Sequence, residues 1–216
     1  NNILGFYNII NEAHKNKIKK IIYASSSSVY GDTKVFPLKE NQKINPKNIY
    51  ALSKKINEEM ANVFSAQYKI SFIGLRFFTV YGEWGRPDMF YSKVLDSAFK
   101  NSKLYLNNHG NHSRDFTYIR DVNLILYNLL KSKKFSENEI LNICSNKPLS
   151  IIKLVKTIEG QSKKIKIYKR TMQKADVIKT HGDNTKIKKL KLIKKFTSFD
   201  EGIKNTLEWY KKYNNF

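Results

Sequence analysis

The run Lys20-Ile-Ile-Tyr-Ala24 breaks off into four consecutive serines, Ser25 to Ser28, and this junction constrains the fold more than any other feature of the chain. A short apolar stretch that gives way to polar residues reads as a buried strand whose carboxyl end opens at a sheet edge. Ahead of it, Leu4, Phe6, Ile9, Ile10 and Ala13 form a helical stripe within Ile3 to Ala13. Behind it, Ser25 to Asn48 is rich in Ser, Lys and Asn and carries two prolines, so it reads as loop. Helical periodicity resumes from Ile49 to Gln67 without Gly or Pro, and Ile70 to Leu75 is the next strand. Helices and strands in alternation imply a parallel sheet with helices packed on its faces.

After Arg76 the pattern is less regular. A Gly- and Pro-containing loop, Gly82 to Pro87, leads to an expected helix over Phe90 to Lys100 and a short strand near Leu104 to Leu106. Val122 to Leu130 and Ile151 to Ile158 have helical spacing, Ile140 to Ile143 reads as a strand, and Phe199 to Tyr213 as a terminal amphipathic helix. No internal repeat is present.

Length and composition set outer bounds. With 216 residues and 41% hydrophobic content, the chain can bury a real core and carry a smaller second lobe. No apolar run approaches the roughly 18 residues needed to cross a bilayer, so a soluble protein with no membrane partner is expected. The single cysteine, Cys144, excludes an intrachain disulfide, and cytoplasm is the expected compartment. The net charge of +22 raises the question of a polyanionic partner. Lysines are spread from Lys15 to Lys212, however, which favours a solvated basic surface over a dedicated nucleic-acid footprint. The densest run, Lys186 to Lys195, keeps open a reading of another class, a basic nucleic-acid-binding module on a degenerate enzyme fold.

Tyr50 and Lys54 stand four residues apart at the start of an expected helix, which puts both side chains on one face. An ammonium beside a phenol favours the phenolate and equips it to exchange a proton with an alcohol. That spacing is common by chance and would ordinarily mean an interfacial tyrosine beside a solvated lysine. The serines change the balance, because ligands of open α/β sheets bind at the carboxyl ends of the strands, where Ser26 places a hydroxyl.

Five segments together resemble the extended short-chain dehydrogenases/reductases that act on nucleotide sugars. They are Ala24-Ser-Ser-Ser-Ser-Val-Tyr-Gly31, Tyr50-Ala-Leu-Ser-Lys54, Leu75-Arg-Phe-Phe-Thr-Val-Tyr-Gly82, Trp84-Gly-Arg-Pro-Asp-Met89 and Arg114-Asp-Phe-Thr-Tyr-Ile119. The resemblance covers nearly the whole chain and implies a Rossmann-like, doubly wound parallel sheet, here its C-terminal part, with a smaller α/β substrate-binding lobe. Residues 1–80 would belong to the NAD-binding domain, and 81–216 mainly to the nucleotide-sugar lobe, with some segments returning to the first domain. It further implies that Ser26 aligns the sugar hydroxyl, that Tyr50 is the acid/base, and that Lys54 also holds the nicotinamide ribose of NAD. Asn2 lies in a helix that borders the active site in relatives and is expected on the cofactor side.

Dehydratase relatives carry an Asp-Glu pair directly after the equivalent of Ser26, and decarboxylase relatives a Glu; this chain has Ser27 and Ser28, which contact substrate in this reading. Without a carboxyl group there, elimination of water lacks its proton donor and acceptor. C4 epimerisation through a transient ketone needs neither. Thr79 and Trp84 to Met89 resemble the form in UDP-glucuronate 4-epimerases. Arg86 is the candidate partner of a sugar carboxylate, with fixation of the loop backbone as its equal alternative. Arg114 is expected at the nucleotide diphosphate, Asp176 at the nucleotide ribose, and Lys93 is a further phosphate candidate. UDP-glucose 4-epimerase is the near alternative, and a homodimer is the expected assembly.

Some positions depart from the expected family pattern: Glu83 replaces proline, Arg120 aspartate, and Cys144 and Ala175 glycine. The strand, glycine-rich turn and helix that cradle the dinucleotide pyrophosphate in relatives have no counterpart here. Asn1 is therefore expected to lie inside a longer protein, and the fragment to bind NAD poorly by itself.

Overall fold

A computed structural model of the chain describes residues 1–132, 138–172 and 177–216. Helix α1 (Asn2–Lys15) leads into strand β1 (Lys20–Ser26), which runs through two of the four serines instead of stopping at Ala24. Ser25 and Ser26 stay in the strand because they lie in register with Arg76 and Phe77 of the next one. Ser27–Tyr30 then forms a single 3₁₀ turn, capped by the Ser26 hydroxyl, which accepts from the Ser28 N–H at 3.2 Å. The serine segment read as loop is thus mostly ordered by the sheet and by this cap.

Helix α2 (Ile49–Tyr68) starts at Asn48, whose side-chain oxygen accepts from the Ala51 N–H at 2.8 Å, and stops at Lys69 in the left-handed region. Then follow β2 (Ser71–Phe77), β3 (Thr79–Tyr81), α3 (Phe90–Lys100), β4 (Leu104–Leu106), β5 (Ser113–Tyr118), α4 (Ile119–Lys131) and β6 (Glu139–Ile143). The chain ends through β7 (Pro148–Ser150), α5 (Ile151–Glu159), β8 (Ile167–Lys169), α6 (Thr185–Lys189) and α7 (Phe199–Tyr213).

Strands β1, β2 and β6 form a parallel sheet in the order β1-β2-β6. Its central strand is buried nearly end to end, because helices cover both faces. Phe72 packs with Ile10, Tyr23 and Ala61 on the α1/α2 side. Ile73 and Leu75 pack with Val122, Ile125 and Leu129 of α4 and with Ile187, Leu192 and Ile193 on the other. The densest lysine run is therefore amphipathic: three of its apolar residues enter the core, and Lys186 pairs with Glu139 and donates to the Ile140 carbonyl at 2.9 Å.

The second lobe gathers α3, α5 and α7 around β3, β5 and β7, with β4 pairing β8. Strands β3, β5, β7 and β8 and helix α6 were not expected from the sequence. They are short, and β5 begins with the polar Ser113-Arg114-Asp115, half-buried at first and fully buried from Asp115 on. Asp115 accepts from the Ser145 N–H (3.0 Å), the Ser145 hydroxyl (2.8 Å) and the Gly182 N–H (3.1 Å), joining three distant segments. At the replaced glycine, Cys144 is buried, and Gly182 supplies the missing space: a Cβ there would stand 2.5 Å from the Cys144 sulfur.

Candidate active site at the carboxyl edge of the sheet

A cleft of about 770 Å³ opens where β1 and β2 end and the second lobe begins. Ser26, Ser27, Ser28, Tyr50, Thr79, Arg86 and Arg114 all line it. Residues scattered over the sequence are thus gathered at one place by the parallel register of the sheet and by the helix that follows the long loop.

Tyr50 sits in the first turn of α2 and is 49% exposed, its phenol available to a ligand. One turn on, the Lys54 ammonium lies 5.9 Å from the Tyr50 ring centre and donates to the Ala24 carbonyl of β1 at 2.9 Å. Burial at this helix–strand junction pulls the Lys54 amine below the ordinary lysine value. Ser26 is nearly buried, and its hydroxyl is within 3.1 Å of the Ser28 hydroxyl. Tyr50 and Ser26 therefore line the cleft from its helix and strand sides.

A buried ion pair holds this geometry. On β2, Arg76 donates through Nε (2.9 Å) and Nη2 (2.7 Å) to the two carboxylate oxygens of Glu58 on α2, and the Ser25 hydroxyl donates to the same carboxylate at 2.5 Å. Burial works against the Arg76 charge, but Glu58 and Tyr30 together raise its pKa above the ordinary arginine value. Arg76, Ser25 and Tyr30 lie within the family-like segments but were given no role there, and Glu58 lies outside them. Their signal was a charge in each of two buried surfaces, since a cation in an apolar strand requires a buried partner.

Arg86 is exposed at the tip of the cleft wall and pairs with Asp88 through Nε (2.9 Å) and Nη2 (2.5 Å). Asp88 is the main cause of its raised pKa. Arg114 points a guanidinium nitrogen to the carbonyls of Ser113 (3.0 Å) and Ile178 (3.1 Å). Three candidates are not on the cleft wall: Lys54, which sits behind Tyr50 on the Ala24 carbonyl, Asn2 and Lys93. Asn2 donates to the Ser53 hydroxyl at 3.3 Å, which itself donates to the Tyr50 carbonyl at 2.7 Å, so Asn2 braces the Tyr50 turn. Lys93 is exposed in the first turn of α3. Asp176 and Ala175 lie outside the described residues.

Among the described residues no helix is long and apolar enough to cross a membrane, and no cluster of His, Cys, Asp and Glu could hold a metal ion.

A parallel sheet covered on both faces, with Tyr50 and Ser26 lining a cleft at its carboxyl edge and Lys54 bonded to the strand end behind Tyr50, defines a Rossmann-like short-chain dehydrogenase/reductase architecture. The chain belongs to the NAD dependent epimerase/dehydratase family, whose model matches residues 1–144. An uncharacterized protein of Methanocaldococcus jannaschii is 40% identical over 212 residues, covering 97% of this chain and 64% of that protein. UDP-glucuronate 4-epimerase 4 of Arabidopsis thaliana is 33% identical over 98% of this chain and 53% of its own length. The chain thus spans about half to two-thirds of these relatives. Among solved structures, UDP-glucuronic acid 4-epimerase of Bacillus cereus, in complex with UDP-glucuronic acid and NAD, superposes with a TM-score of 0.92 at 26% identity, covering 99% of this chain and 68% of that one.

Proposed function

We propose that the protein interconverts UDP-glucuronate and UDP-galacturonate, inverting C4 of the sugar through a transient 4-keto intermediate with NAD as cofactor. The observation that carries this reading is the convergence of Tyr50, Ser26 and Arg86 on one cleft, with Lys54 anchored behind Tyr50. Likeness to UDP-glucuronate 4-epimerases of Arabidopsis and Bacillus supports the choice of sugar.

The residues present fit the nicotinamide–ribose end of NAD: an exposed phenol and an ammonium stand side by side at the carboxyl edge, where a ribose hydroxyl finds both partners. When bound, NAD supplies the acceptor for the C4 hydride and its later donor. Tyr50 takes the C4 hydroxyl proton and returns it after the ring has turned over, while the Ser26 hydroxyl orients the sugar oxygen. Lys54, bonded to the Ala24 carbonyl, holds its ammonium beside the Tyr50 ring. Ser27, Ser28 and Thr79 line the sugar side, and Arg86 exchanges its contact with Asp88 for the uronate carboxylate. Arg114 is assigned to the diphosphate, Lys93 to a peripheral phosphate contact, and Asp176 to the nucleotide ribose. The cleft volume accommodates a sugar and its rotation. A cytoplasmic homodimer supplying a uronic-acid donor for polysaccharide synthesis completes the proposal.

The test is turnover of UDP-glucuronate and UDP-glucose by the whole protein with NAD, the epimers separated chromatographically. Uronate turnover that greatly exceeds turnover of the neutral sugar is expected, and Arg86→Ala should reduce the first far more than the second. Equal losses remove the carboxylate assignment, and a preference for UDP-glucose selects the hexose epimerase instead.

A further inference from the structure

The cleft wall from Gly82 to Met89 is held by contacts that the proposed proton and hydride chemistry does not use. Glu83 Oε1 accepts three hydrogen bonds, from the Tyr118 hydroxyl (2.8 Å) and from Nε (3.0 Å) and Nη2 (2.7 Å) of Arg120. Its Oε2 is buried with no hydrogen-bond partner among the described residues. Burial alone would raise the Glu83 pKa, yet bonds from its own backbone, Tyr118 and Arg120 hold it below the usual glutamate value.

The next residue, Trp84, takes a left-handed φ of 58°, a strain on the order of 1–3 kcal/mol that persists only where the surroundings enforce it. Its ring lies 5.5 Å from Trp209 and 5.1 Å from Tyr213 of α7. Beyond it, a Cβ on Gly85 would fall 1.4 Å from the Tyr91 hydroxyl, which donates to the Gly82 carbonyl at 3.0 Å. Arg86 follows directly, its carbonyl bonded by the Ser92 hydroxyl at 2.9 Å.

Arg120 is 66% exposed at the side chain while Glu83 is 11% exposed, so solvent screens the pair from the arginine side and its contribution to global stability is modest. Its geometric effect is larger, because Glu83 is three residues from Arg86 and the strained Trp84 lies between them. We infer that Glu83 and Arg120 are positioning residues that clamp the wall loop and present Arg86 to the sugar. The two residues that replace proline and aspartate in the family pattern are thus each other's partners. The clamp stands on this geometry; its consequence for the uronate rests on the function proposed above.

Trp84 and Trp209 are the two tryptophans of the chain, so Trp209→Phe leaves Trp84 as sole reporter. Trp84 is already 74% exposed, so the readout is its mobility: in that background Arg120→Ala is expected to raise the fast-decaying share of Trp84 fluorescence anisotropy about twofold and to weaken UDP-glucuronate about tenfold, with UDP unchanged. Arg120→Lys should recover part of both, since it keeps the charge and one donor. Glu83→Gln, which keeps an acceptor for Tyr118 but loses the charge, should move both readouts in the Arg120→Ala direction. Unchanged anisotropy decay in Arg120→Ala overturns the clamp; a larger fast-decaying share with an unaltered ratio of UDP-glucuronate to UDP affinity overturns the positioning role. If the parent binds UDP-glucuronate no better than UDP-glucose, the substrate reading falls, while the anisotropy decay still decides the clamp.

Discussion

Arg76 on β2 and Glu58 on α2 form a two-armed ion pair at 2.7 and 2.9 Å, with both side chains less than a tenth exposed, and the Ser25 hydroxyl closes on the same carboxylate. The bond ties the helix carrying Tyr50 and Lys54 to the strands whose ends form the cleft floor. Replacing Glu58 by Ala leaves the Arg76 cation buried without its counter-ion and should cost about 3–5 kcal/mol in denaturant unfolding. Replacing Glu58 and Arg76 together by Met should cost less than Glu58→Ala alone, because no charge is left stranded. A double mutant no more stable than the single one would refute this.

Tyr50→Phe keeps the ring and its packing but removes the proton carrier. Turnover is expected to fall by about 10²–10⁴-fold, the usual span for a positioned acid/base, while UDP-sugar affinity changes little. Single-turnover kinetics and equilibrium binding separate the two effects, and a variant with near-parental kcat would remove Tyr50 from its role.

Asp115 predicts a pH dependence of stability. Burial raises its pKa above the ordinary aspartate value against the opposing bonds from Ser145 and Gly182. The folded state therefore binds this proton more tightly than the unfolded chain. As pH falls through the raised value toward about 3.8, Asp115 adds stability; above the raised value it withholds that gain. In Asp115→Asn this component should vanish, so the difference between parent and variant stability should shift in favour of the parent as pH is lowered across that window. A difference independent of pH would contradict the assignment.

Gly182 and Cys144 are spatially coupled. A Cβ at Gly182 would approach the Cys144 sulfur to 2.5 Å and the Phe78 ring to 2.6 Å. Gly182→Ala should destabilise by about 1–3 kcal/mol through overpacking, and Cys144→Gly should relieve part of that loss. Thermal unfolding of the two singles and the double measures the coupling; strict additivity would exclude it.

What the sequence determined by itself follows from local rules. The helix over Phe90–Lys100 and the strand Leu104–Leu106 match the structure residue for residue, and Ile49–Gln67 falls one residue short at its end. Apolar spacing, a capping Asn48 and the absence of breakers are written in neighbouring residues, as is the Tyr50/Lys54 spacing. The tertiary structure decided what depends on partners far along the chain. Ser25 and Ser26 became strand because Arg76 and Phe77 pair with them, and the polar start of β5 could be buried because Ser145 and Gly182 satisfy Asp115. Glu83 and Arg120 looked like separate departures until the fold set them 2.7 Å apart. Periodicity is a property of one segment, whereas a buried charge or hydrogen bond is stable only in a pair, and pairing at long sequence distance is settled by the packed chain.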